Sequence, residues 1–165
     1  MKSRFCRRLP EVEMRVEVRD SEFNPWEELQ RHQQATSLPS GKHGAIASFV
    51  GTMRDFNEGD SVKAMVLEHY SGMTEKHLSE ISAEAKKRWD ILDTLILHRV
   101  GELQPGDPIV LVAVWSAHRE AAFEACRYLI EELKSRAPFW KKESLQEHSR
   151  WVQHNTPAGS SRGGR

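Results

Sequence analysis

Val12, Met14, Val16 and Val18 alternate with charged residues, a period-two pattern that predicts a half-buried strand. Asn24-Pro25-Trp26 then opens a short helix, with proline where the first turn tolerates it. Residues 36–44 (TSLPSGKHG) form a loop, and the apolar run Ala45 to Met53 predicts a buried strand. Residues 56–60 turn the chain. Over 62–70 alternation returns, with Val62, Ala64 and Val66 on one face and Met65, Leu67 and His69 on the other. Leu78, Ile81, Ala85 and Trp89 then draw a helical stripe over 74–89.

Two further apolar strands, 92–100 and 109–115, flank the turn Gln104-Pro105-Gly106-Asp107. A second main helix spans 119–135, with Ala122, Cys126, Leu129 and Leu133 as its stripe and Pro138 limiting its extension. Short strands are expected at 140–143 and 150–152. The pattern predicts an α+β domain over 12–153, built on one mixed sheet and two main helices. The basic segment 1–11 and the Gly/Ser/Arg-rich tail 154–165 are expected to be disordered.

Composition narrows the class. With 29% charged residues and no apolar run near the roughly 20 residues of a membrane span, a soluble, cytoplasmic protein is expected. The N-terminal segment lacks the apolar stretch of a secretory signal. Lys and Arg total 24, as do Asp and Glu, so the net basic surface of a nucleic-acid binder is missing, despite five tryptophans. Cys6 and Cys126 have no metal-site spacing, and Cys126 falls on the helical stripe as core filler.

No phosphate-binding glycine loop, zinc-protease or nucleophile-elbow motif is present. What remains is a set of cations at element ends. Arg54 follows the strand 45–53. His118 and Arg119 stand where strand 109–115 becomes a helix, whose free N–H groups favour anions. Lys134 and Arg136 close that helix, and Lys141 and Lys142 follow its proline break. Singly, each is an ordinary solvated charge. Together, Arg54, His118 and Arg119 predict a pocket for a small anion, with lysine acid–base chemistry nearby.

Longer motifs then give a resemblance. Phe49-Val50-Gly51-Thr52-Met53-Arg54 resembles the FxGxxR motif of the molybdopterin synthase large-subunit family, the MoaE family. Residues 67–76 resemble its LEHYxGMTEK segment, 98–107 its HRxGELxPGD, and 116–119 its SAHR. Residues 133–141 resemble its LKxRAPFWK and 150–152 its RWV, all in family order over about residues 44–152.

The resemblance implies an α+β fold of the α/β-hammerhead type. It implies a homodimer that binds two small ubiquitin-like sulfur carriers, giving a heterotetramer. The carrier's Gly-Gly C-terminus, as a thiocarboxylate, would enter the pocket and donate sulfur to cyclic pyranopterin monophosphate, without metal or cofactor. Position by position, Lys134 and Lys141 match the catalytic lysines. Thr52, Met53, Arg54, His118, Arg119, Lys142 and Glu143 match substrate-binding positions. Thr52 stands where the family often carries a basic residue, so its contact is expected through the backbone. Phe139 and Trp140 either line the pterin site or pack, and packing is the preferred expectation. Competing interpretations are a module that kept the fold without the activity, and a different transferase acting on a phosphorylated metabolite.

Overall fold

The longest apolar runs lie at the centre of the first of two sheets. The computed structural model describes residues 14–57, 59–145 and 149–152. β5 (Ile91–Arg99) and β7 (Pro108–Ser116) are nearly continuous in buried residues, because both faces of their sheet are covered. β1 (Arg15–Arg19) pairs in parallel with β5, and β2 (Ala45–Thr52) pairs antiparallel with β7. The resulting order is β1-β5-β7-β2.

One face of this sheet is covered by α2 (Met73–Arg88) and α3 (Arg119–Arg136). Leu78, Ile81 and Ala85 meet Ala122, Cys126, Leu129 and Leu133 over Ala47, Ile96, Val112 and Val114. Both helical stripes therefore face the core as expected. Burial pushes the Cys126 thiol up to about 11, so it packs as an apolar, protonated group.

The opposite face is covered by α1 (Pro25–Ala35), which exists because Asn24 Oδ1 accepts from the N–H groups of Trp26 and Glu27 at 3.0 and 3.4 Å. Phe23 and Leu29 pack on Leu95, Leu97, Leu111 and Trp115. A polar clamp fastens this helix: the fully buried Asp93 carboxylate lies 2.9 Å from His32 Nε2 and accepts from Thr36 Oγ1 at 2.8 Å.

The strands do not form one sheet, contrary to the sequence expectation. At the end of β2 the register shifts between Gly51 and Thr52. The Met53 N–H donates to the Asp107 carbonyl at 2.9 Å, and the Gly106 N–H to the Met53 carbonyl at 2.8 Å. This pair turns the chain out of the first sheet. β3 (Phe56–Asn57), β4 (Asp60–His69), β8 (Phe139–Leu145) and β9 (Ser149–Val152) build a second, antiparallel sheet, and β6 (Gly101–Leu103) also pairs with β4.

A bulge between Val62 and Ala64 shifts the phase of β4. Val62 therefore joins Met65 and Leu67 in the core, not Ala64 and Val66 as simple alternation predicts. Among the described residues no helix is long and apolar enough to cross a membrane. The terminal segments 1–11 and 154–165, with Val12 and Cys6, lie outside the described residues.

Candidate active site

A cavity of about 480 Å³ opens where the two sheets meet the end of α3. The end of β2 supplies Thr52, Met53 and Arg54, and α3 supplies Leu133 and Lys134. β4 and β8 supply Met65, Leu67, Lys141 and Glu143. Six residues singled out in the sequence thus line one space, though they are spread over 92 positions (52 to 143).

Strand alternation selects among the β8 residues. Phe139, Lys141 and Glu143 face the cavity, opposite His69, Leu67 and Met65 of β4. Lys142 points to the other face, where its ammonium lies 5.6 Å from the centre of the Trp151 ring. Lys142 is therefore not among the residues that line the cavity, unlike Lys141 and Glu143. Trp140 shares that outer face and packs edge-on against Tyr70 at 4.8 Å. Phe139 both packs and lines the cavity.

His118 and Arg119 are also absent from this wall. They stand at the start of α3 and Lys134 near its end, so at about 1.5 Å per residue roughly 22 Å separates them along the helix. The Gly44 N–H donates to the Ser116 carbonyl at 3.0 Å, which ties the His118 end to the start of β2, while Arg54 follows its far end. The expected grouping of Arg54 with His118 and Arg119 does not form within one chain.

Glu143 is the most constrained polar group of the cavity, with 1% of its surface exposed. Its Oε1 accepts from Lys141 Nζ and from Asn57 Nδ2, both at 2.8 Å. Its Oε2 accepts from Arg150 Nε and Nη2, both at 3.2 Å. Burial alone would raise this carboxyl, but Lys141, Arg150 and Asn57 outweigh it and hold it below the usual range. Nothing in the sequence places Asn57 or Arg150 beside Glu143, because these contacts depend on strand pairing.

In the sequence His98 likewise stands out only as part of a motif. Its ring lies 3.9 Å from that of Phe139, tilted by 15°, and its Nδ1 is 2.8 Å from the Arg99 carbonyl. Burial pushes its imidazole down to about 4, against the effect of that hydrogen bond. The ring is thus neutral at pH 7 and acts as cavity wall. Arg99 donates to the Asp107 carboxylate and the Glu102 carbonyl, both at 3.2 Å. It thereby braces the turn that anchors Met53.

Phe49, Phe56 and Ile109 complete a largely apolar wall, and the Arg54 guanidinium lies 5.0 Å from the Phe56 ring centre. Apolar walls with a few convergent charges suit a small planar anion. Among the described residues no three His, Cys, Asp or Glu side chains could hold a metal ion.

Comparison with known proteins agrees with the motifs. The family model described as MoaE protein matches residues 20–136. A molybdopterin synthase catalytic subunit from Pseudomonas aeruginosa is 51% identical over 141 residues, covering 85% of this chain and 91% of that protein. The MoaE protein structure from Burkholderia ambifaria matches with a TM-score of 0.70 at 44% identity, covering 85% of this chain and 89% of that one. The molybdopterin synthase structure from Staphylococcus aureus matches with a TM-score of 0.73 at 33% identity, covering 83% and 96%. The chain therefore belongs to the MoaE family of molybdopterin synthase catalytic subunits.

Proposed function

We propose that the cavity is where sulfur passes from the thiocarboxylated Gly-Gly end of a small ubiquitin-like carrier to cyclic pyranopterin monophosphate. The observation that carries this proposal is the convergence of Lys134, Lys141 and Arg54 on one largely apolar cavity. The flat pterin suits the Phe49 and Phe139 walls, and its phosphate suits the cations. Sulfur attack and opening of the cyclic phosphate need proton transfer and a stabilised leaving oxygen. Lys134 acts as the principal acid–base residue, Lys141 as its partner, and Arg54 binds the anion. Thr52 and Met53 bind the substrate beside Arg54 on the same cavity wall.

The name catalytic subunit, carried by the relatives, itself implies a second kind of subunit. The protein is also a homodimer in this proposal, which resolves the position of His118 and Arg119. Among the described residues the outer edge of β2 pairs with no strand. An antiparallel two-fold pairing along that edge sets the Gly44 end of one copy beside the Thr52 end of the other. His118 and Arg119 of one copy would then approach the cavity of the second. With one carrier per copy, the assembly is a heterotetramer.

The test is reconstitution: purified protein, thiocarboxylated carrier and cyclic pyranopterin monophosphate, with molybdopterin followed as product. Product formation is expected. Its absence with carrier bound would favour a module that kept the fold without the activity. The shared-site dimer is tested by mixing inactive Lys134→Ala and Arg119→Ala chains. If sites are shared, random pairing restores about one site in four. No recovery after verified subunit exchange would refute sharing.

A further inference from the structure

Glu143 is matched to a substrate-binding position by family resemblance, but its surroundings argue for a different task. A carboxylate offers about four lone-pair sites, and four donor contacts already occupy them: Lys141 Nζ, Asn57 Nδ2, Arg150 Nε and Arg150 Nη2. No acceptor is left for a ligand, and a buried negative charge is a poor neighbour for a phosphate. Lys141, by contrast, uses one ammonium proton on Glu143 and keeps two donors for the cavity.

We infer that Glu143 is a positioning residue that fixes Lys141 Nζ in the cavity, and that Asn57 and Arg150 are positioning residues acting through it. The geometry is specific. Two N–H groups of the Arg150 guanidinium converge on the one oxygen Oε2 and fix its position. Asn57 holds Oε1 from the opposite strand of the sheet. Arg150 is held in turn by Asp60 Oδ2 at 2.8 Å and the Asn57 carbonyl at 3.2 Å. Three strands, β3, β8 and β9, thus converge to place one flexible lysine stem. Which reaction Lys141 serves rests on the proposed sulfur transfer; its placement does not.

Two readouts separate these questions. The first needs no turnover. In protein labelled with ¹⁵N-lysine, the Lys141 ammonium should give a slowly exchanging cross-peak, assigned by its loss in Lys141→Arg. Glu143→Gln, Arg150→Gln and the milder Asn57→Ala should each weaken or abolish that peak while circular dichroism stays native. A peak that persists unchanged in folded variants overturns the inference.

The second readout is steady-state kinetics in the reconstituted system. Asn57→Ala and Arg150→Gln should lower kcat by about 10- to 100-fold, the scale of a misplaced catalytic group. KM for the pterin should stay within about twofold, and Arg150→Lys should recover part of kcat. A raised KM with unchanged kcat would make Glu143 a substrate contact and overturn the inference. Unchanged kinetics with the cross-peak also unchanged would overturn it too, whereas unchanged kinetics with the cross-peak lost would overturn only the proposed role of Lys141 in the reaction. If wild-type protein makes no product but the cross-peak behaves as expected, the positioning inference stands and the sulfur-transfer proposal fails.

Discussion

Acid should destabilise this fold through His98, and the effect can be sized. The imidazole is 5% exposed, stacks on Phe139, and titrates near 4 rather than at its ordinary 6.5. Between these values the unfolded chain binds a proton that the native ring refuses. Unfolding therefore takes up a proton, and stability falls as pH drops through that window; below about 4 the loss levels off. At 1.36 kcal/mol per pH unit, the full window is worth about 3 kcal/mol. Urea denaturation followed by tryptophan fluorescence, at fixed protein concentration from pH 7 to 4, measures it. His98→Phe keeps a ring against Phe139 and removes the titration, so its stability should fall less steeply with acid. Carboxylates such as Glu143 contribute to both proteins and cancel in the difference. Parallel curves for the two proteins would refute the argument.

Core and surface changes should differ sharply. Leu78→Ala, at a fully buried position between α2 and α3, should cost about 3 kcal/mol in urea denaturation. A Cβ at Gly44 would sit 2.5 Å from the Ala117 carbonyl oxygen, so Gly44→Ala should lower stability by about 1–3 kcal/mol and shift the backbone amide resonances of 116–118. Arg136 pairs with Glu84 at 2.7 Å and Glu132 at 3.1 Å on the surface, where solvent screens the charges, so Arg136→Ala should shift the urea midpoint far less than Leu78→Ala, and less still at high salt.

Most of the first sheet and both main helices are legible in local pattern. Leu78, Ile81 and Ala85 repeat at helical spacing, and the runs 91–99 and 108–116 are too apolar for anything but a covered sheet. The division into two sheets is not legible, because it depends on Met53 bonding to the 106–107 turn across more than fifty residues. The phase of Val62 is lost for a similar reason: a bulge leaves no mark in the hydrophobic pattern.

The site shows the same limit. Lys134, Lys141 and Arg54 were singled out as cations at element ends, and the fold brings those ends together. Asn57 and Arg150 reach Glu143 from 86 and 7 residues away, by pairings that no local signal announces. An α3 of 18 residues cannot place both of its ends at one cavity of the same chain, and strand alternation sets Lys142 on the face opposite Lys141 and Glu143.

The central claim is that Lys134 moves the proton in sulfur transfer. A single-turnover assay with Lys134→Ala, thiocarboxylated carrier and cyclic pyranopterin monophosphate tests it most directly, with carrier binding measured on the same sample. Loss of product formation by at least about 100-fold, with carrier binding intact, is the expected result. Turnover near that of the unaltered protein would contradict it.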